Sequence, residues 1–234
     1  MQWASAGGNM SARPSPGASA GRRRGTGPDR AAALAQYRRR AGVYDLELAL
    51  FEPIRREAIA RLGLRPGDVV LDLGCGTGLS LEMLRAGVGA KGRIIGIEQS
   101  PQMLERARAR VAQHRWSRIT LICSPVETAA IPILADAALF HFTHDILQRP
   151  QAVANVMRHL KPGARVVCCG LKWAPAWALP TNLLVLSAAL RSVTSLQGLR
   201  RPWSALAEGT GPLAVQSRLA GAVYIASGAV AQPG

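Results

Sequence analysis

Residues Val69 to Ser80, VVLDLGCGTGLS, limit what this chain can become more than any other stretch. Apolar residues around one acid, Asp72, run into glycines at 74, 76 and 78, the pattern of a buried strand entering a tight turn ahead of a helix. Glycine has no β-carbon, so such a turn adopts positive φ and lets a ligand lie against its amides, beside the N-terminus of the next helix. A dinucleotide fingerprint of the form GxGxxG needs glycine at position 79, where this chain has Leu79. The loop here is GxGxG preceded by an acid.

A second landmark, IIGIEQSPQML from Ile94 to Leu104, is a strand that ends in Glu98 and leads into a helix start. Together with LDLGCGTG it resembles the class I S-adenosylmethionine-dependent methyltransferases, in which an acid closing the second strand holds the two ribose hydroxyls. The resemblance implies a Rossmann-like α/β fold: a seven-stranded, mostly parallel sheet with an antiparallel C-terminal strand and helices on both faces. It also implies S-adenosyl-L-methionine as the cofactor. The loop residues Gly74, Cys75, Gly76, Thr77 and Gly78 then carry it with Asp72, while Glu98 takes the ribose and Gln99 and Met103 flank the adenine. The alternative for Asp72 is a carboxylate that only orders the glycine turn, and for Met103 helix packing. RHLKPGARVV, Arg158 to Val167, is also typical of that family. One departure concerns the adenine: CSPVE, Cys123 to Glu127, stands where relatives commonly have an Asp in a GDA-type motif. Pro125 supplies neither carboxylate nor backbone donor, which leaves Ser124, Val126 or Glu127 to meet the base.

The formal net charge of +15 raises the question of nucleic acid. Its distribution argues against it, because residues 1–40 hold eight arginines against Asp29 alone, and only three lysines occur in the chain. Aromatic residues for base stacking are few. Residues 1–30, rich in Gly, Ser, Pro and Arg without apolar periodicity, read as a disordered basic tail. No apolar run reaches the roughly 18 residues of a membrane span, although peripheral membrane contact stays open. Cys75, Cys123, Cys168 and Cys169 include no CxxC pair; buried thiols of a cytoplasmic protein fit better than a disulfide framework, and no metal site is expected.

Residues 31–64 carry apolar positions at helical spacing, broken at Pro53. YRRRAGVYDLEL within them resembles the N-terminal lid of methyltransferases of ubiquinone and menaquinone biosynthesis, which implies a place near the cofactor for Tyr44; a packing role fits that residue equally. Strands are expected at Val69–Leu73, Arg93–Gln99, Ile119–Val126, Ala137–Thr143 and Ala164–Leu171, alternating with helices, and a terminal hairpin at Leu213–Leu219 and Ala222–Ala229. Residues 172–212 break the alternation with Trp173, Trp177 and a leucine-rich helix, and read as a substrate-side insert. HFTHD, His141 to Asp145, ends the fourth strand, where open α/β sheets bind ligands. Thr143, His144 and Asp145 are the candidates to position an acceptor or take its proton, with helix capping the alternative for Asp145. His141 is read as structural. The resulting expectation is a methyltransferase acting on a small, apolar, quinone-like, lipid or secondary-metabolite acceptor. A degenerate cofactor-binding scaffold and an RNA-binding methyltransferase are the alternatives.

Overall fold

The computed structural model describes residues 51–175, 177–192, 196 and 198–231, with backbone alone for Leu184 and 188–192. The tail, the first lid helix and Tyr44 lie outside these residues. The described elements are α1 (Glu52–Arg61), β1 (Val69–Leu73), α2 (Leu81–Val88), β2 (Arg93–Glu98), α3 (Pro101–Gln113), β3 (Ile119–Cys123), β4 (Ala135–His141), α4 (His144–Leu147), α5 (Pro150–Arg158), β5 (Leu160–Leu171), α6 (Leu179–Ser192), α7 (Ser204–Thr210), β6 (Ala214–Arg218) and β7 (Val223–Ala229).

The seven strands form one sheet in the order β3-β2-β1-β4-β5-β7-β6. β1 to β5 pair in parallel, β7 pairs antiparallel with β5, and β6 closes the edge antiparallel to β7. All five residues of β1 are buried, as a central parallel strand covered on both faces requires. One face packs Leu71, Leu73, Ala138 and Phe140 against Val153 and Val156 of α5 and Leu206 of α7. The other packs Val70, Ala137 and Leu139 against Ile54, Ala58 and Ile59 of α1 and Leu81 and Leu84 of α2. Asp72 stands two residues from Val70, shares its face of the strand and therefore points to the α1 side.

The mostly parallel seven-stranded sheet and its antiparallel terminal hairpin agree with the sequence reading. Several ends differ. α2 starts only at Leu81, because the turn persists past Gly78, whose φ is 83°. β3 stops at Cys123 since the Ser124 amide turns back to the carbonyl of Glu98 at 3.1 Å, and β4 ends at His141 because Phe142 adopts a φ of 55°. β5 begins at Leu160, where pairing with Ala135 resumes across a register break. The short helices α4 and α7 are additions the apolar pattern did not reveal. Ser100 caps α3 as expected, its hydroxyl accepting from the Met103 amide at 3.4 Å with Pro101 following. Three of the four cysteines are buried and only Cys123 is exposed.

Candidate cofactor and acceptor site

The site begins where β1 runs out. The amides of Gly74 and Cys75 both donate to the carbonyl of Ile97 on β2, at 2.8 and 3.1 Å, and the Gly78 amide closes the turn on the Cys75 carbonyl at 2.9 Å. Gly74, Gly76 and Gly78 have φ of 69°, 56° and 83°, values that side chains with a β-carbon resist. Space demands glycine as well: a β-carbon on Gly74 would lie 2.6 Å from Thr143 Cγ2, and one on Gly78 2.7 Å from Leu81 Cδ1. Arg110 of α3 steadies the loop by donating from Nε to the Thr77 carbonyl at 3.3 Å.

Glu98 crosses from β2 to this loop. Its Oε2 accepts from the Gly76 amide at 3.2 Å and its Oε1 from the Ser100 amide at 2.8 Å. The Gln99 backbone amide also reaches the carboxylate, and two oxygens with two acceptor positions each leave room for a further donor. Burial pushes the Glu98 carboxyl above the usual carboxylate range, against the pull of those amides. A cleft opens beside it, lined by Gly74, Gly76, Glu98, Gln99, Met103, Ser124, Val126, Glu127, Phe142, Thr143, His144, Asp145, Ile146 and Arg149, together with His141. Thus Gln99, Met103, Val126 and the polar trio 143–145 all reach one cavity with the loop.

Asp72, Cys75 and Thr77 lie instead around a smaller pocket behind the loop, shared with Arg55, Ser80 and His141. The Cys75 thiol is buried, and an added β-carbon on Gly96 would lie 2.9 Å from its sulfur; burial drives its pKa well up, so it offers backbone and no thiolate. Gly78 lines neither pocket and serves the turn.

His141 departs from its structural reading. It lies on the α1 side, on the face opposite its neighbour Phe140, yet as the last residue of β4 it borders both pockets, with Nε2 buried and without a hydrogen-bond partner. Burial first, then the Arg55 cation, lowers its pKa to about 3, so the ring is neutral at physiological pH.

Arg55 was not singled out by the sequence. It is buried on α1 among Ile54, Ala58 and Ile59, paired through Nη1 with Glu52, while Nε and Nη2 find no partner. Asp72 is its counterpart: buried, with Oδ2 unpartnered and a pKa raised to about 7 by burial, with Glu98 adding to the rise and Arg55 opposing it. An arginine inside the apolar stripe of α1 was the available signal. Buried polar groups without partners are uncommon in folded proteins, and here an acid, a guanidinium and an imidazole converge on one pocket. These orphans suit a zwitterionic amino-acid end: Asp72 would hold an ammonium and Arg55 a carboxylate. Across the main cleft, Arg149 pairs with Glu127 at 2.8 Å, and the rings of Phe51 and Phe142 meet in a tilted contact at 4.7 Å between centres.

Residues 70–163 match the family described as Methyltransferase domain. The chain is 32% identical to the demethylmenaquinone methyltransferase of Symbiobacterium thermophilum over 121 residues, half of this chain and 48% of that protein. It is 29% identical to the malonyl-[acyl-carrier protein] O-methyltransferase of Serratia marcescens over 137 residues, 58% of this chain and 51% of the relative. The chain therefore spans about half the length of these curated relatives. Among solved structures, the N-methyltransferase NodS of Bradyrhizobium japonicum with S-adenosyl-L-homocysteine superimposes with a TM-score of 0.57 at 18% identity, over 77% of this chain and 87% of that one. The family match spans the glycine loop and the cleft just described, and the NodS likeness shows the fold: residues 70–163 carry a methyltransferase domain of the class I, S-adenosylmethionine-dependent kind, with S-adenosylmethionine as its cofactor.

Proposed function

We propose that this protein transfers a methyl group from S-adenosylmethionine to a small, largely apolar acceptor. The observation that carries this reading is the makeup of the cleft beyond the loop. Phe142 and Ile146 form apolar wall there with Phe51 packed at a tilt against Phe142, Thr143, His144 and Asp145 are its polar handles, and the bordering arginine, Arg149, is engaged by Glu127. A nucleotide acceptor would call for convergent cations; an apolar ring or acyl compound does not. The demethylmenaquinone relative fits such an acceptor, while the acyl-carrier relative shows that a match of this depth leaves the acceptor atom open.

When bound, the cofactor supplies an activated methyl group on a sulfonium, and the protein aligns acceptor and donor and excludes water. In this reading Glu98 accepts from the ribose hydroxyls, Gln99 and Met103 flank the adenine, and Val126 with Glu127 bounds it in place of the missing Asp. Arg55 and Asp72 hold the amino-acid end. Neutral His141 borders the donor without adding a second cation beside it. Thr143 orients the acceptor, and His144 with Asp145 takes its proton if it carries one at neutral pH.

Radiolabelled methyl transfer to a panel of hydroquinones, phenolic polyketides, acyl thioesters and tRNA tests the proposal. Label should enter an apolar small molecule, and Glu98→Ala should weaken S-adenosylhomocysteine binding by about 1–3 kcal/mol through loss of a charged acceptor. Transfer to tRNA alone would overturn the acceptor class; unchanged affinity in the variant would remove Glu98 from the site.

A further inference from the structure

The insert between β5 and α7 was expected to wall the donor cleft with Trp177 and Leu183. The cleft takes its lining from residues 74–149, and these side chains point to water instead. Trp177 is 81% exposed, Leu179 72% and Leu183 69%. Leu179 and Leu183 stand four residues apart on α6 and share one face, with Trp177 in the turn just ahead, while Val185 of the same helix is buried. The turn between β6 and β7 joins them: Leu219 is 57% exposed, and a β-carbon on Gly221 would lie 2.9 Å from Pro175 Cδ.

Topology puts this apolar surface at the working end of the sheet. β5 ends at Leu171 and runs parallel to β4 and β1, whose last residues open into the cleft. The far end of the insert also returns to the cleft, since a β-carbon on Gly198 would fall within 2.2 Å of Gln148 Oε1, next to cleft residue Arg149. Charge completes the surface. From Lys172 to Ala207 the sequence has no acidic residue. Arg200 and Arg201 are exposed and follow Leu199, whose carbonyl accepts from the Trp173 amide at 3.0 Å.

We propose that this face docks on an anionic lipid bilayer and thereby presents the cleft to an acceptor dissolved in it, an extension that rests on the apolar acceptor proposed above. Tryptophan and leucine enter the boundary between headgroups and acyl chains, and the arginines meet lipid phosphates. Either signal alone binds weakly; the two together bind stably. A second copy of the chain is a poorer occupant, because an isologous contact would bring the same cations together.

The test is co-sedimentation of the full chain with phosphatidylglycerol and with phosphatidylcholine vesicles. Wild type should partition about tenfold more strongly onto phosphatidylglycerol, and the double variant Trp177→Ser, Leu183→Ser should lose about tenfold on it. Arg200→Ser with Arg201→Ser should erase the preference between the two lipids. These side chains are exposed, and an unchanged melting temperature verifies that the variants fold. A wild type that stays in the supernatant with both lipids overturns the proposal. So does a serine double variant that binds as well as wild type, since the N-terminal arginines would then carry the binding, or a dimer in the absence of vesicles that this variant dissolves. Partition is read without any acceptor, so a negative result removes the docking face and leaves the acceptor's chemistry untouched.

Discussion

At the residue scale, Asp72 answers to two opposed demands. The proposed hold on a ligand ammonium would need its charge, whereas burial penalises that charge and raises its pKa from 3.8 to about 7. The folded, ligand-free protein therefore holds this proton more tightly than the unfolded chain does. Its stabilising effect is complete below the unfolded value and is lost as pH rises through the folded one. Melting temperature of the ligand-free protein should accordingly fall between pH 4 and 7, and Asp72→Asn should flatten that slope while weakening S-adenosylhomocysteine binding. Melts across this range check both; an identical slope in the variant would free Asp72 of the effect. Phe142 illustrates a second residue-scale demand. A bulky residue at a φ of 55° is strained, and it is held there by its amide bond to the Cys169 carbonyl at 2.8 Å and by its ring contacts with Phe51 and His141.

Among the elements, α1 does more than cover the sheet. Its outer side is tied to the sheet edge, where Glu57 accepts from Arg218 Nε at 2.9 Å and Arg61 donates to Gln216 at 2.5 Å; its inner side delivers Arg55 to the loop. Arg55→Met should lower S-adenosylhomocysteine affinity by about 1.5–3 kcal/mol, the range for a hydrogen bond to a charged group. It should leave unfolding in urea unchanged or slightly harder, because an incompletely satisfied buried cation is replaced by apolar volume. Calorimetry and urea titration separate the two, and a large stability loss with intact affinity would make Arg55 structural. How much of this was legible follows from the same elements. The glycine loop, Glu98 and the capped start of α3 are local patterns, written into spacing and readable from it. Arg55 and His141 required knowing that α1 lies over the end of β1, which contiguous sequence does not state. Trp177 and Leu183 were misassigned because apolar residues beside a site look alike whether they face the cavity or water. The cleft wall at Val126 is another nonlocal device, since Asn155 of α5 donates to the carbonyls of Val126 and Ala129 at 2.7 and 3.0 Å and so fixes a turn 26 residues or more away in sequence.

For the molecule as a whole, the parallel strands gather every ligand-facing group at one end, so one ligand should stiffen the entire domain. At a hundred times its dissociation constant, S-adenosylhomocysteine should add about 2.7 kcal/mol, a rise in melting temperature of roughly 5–10 °C for a chain of this size. NAD should add nothing, because Leu79 stands where its fingerprint needs glycine. A thermal shift with NAD equal to that with S-adenosylhomocysteine would contradict the GxGxG assignment.

The uneven burial of the thiols gives the native chain a chemical address. Cys168 is held at a pKa of about 12 chiefly by burial, Cys75 and Cys169 are raised by the same cause, and only Cys123 meets solvent. A maleimide fluorophore should attach at one position in the folded protein and at four after denaturation, as intact mass would record. Since Cys123 directly precedes Ser124 on the rim of the cleft, that dye would sit beside the proposed adenosine site, and its emission should report occupancy without any engineered cysteine.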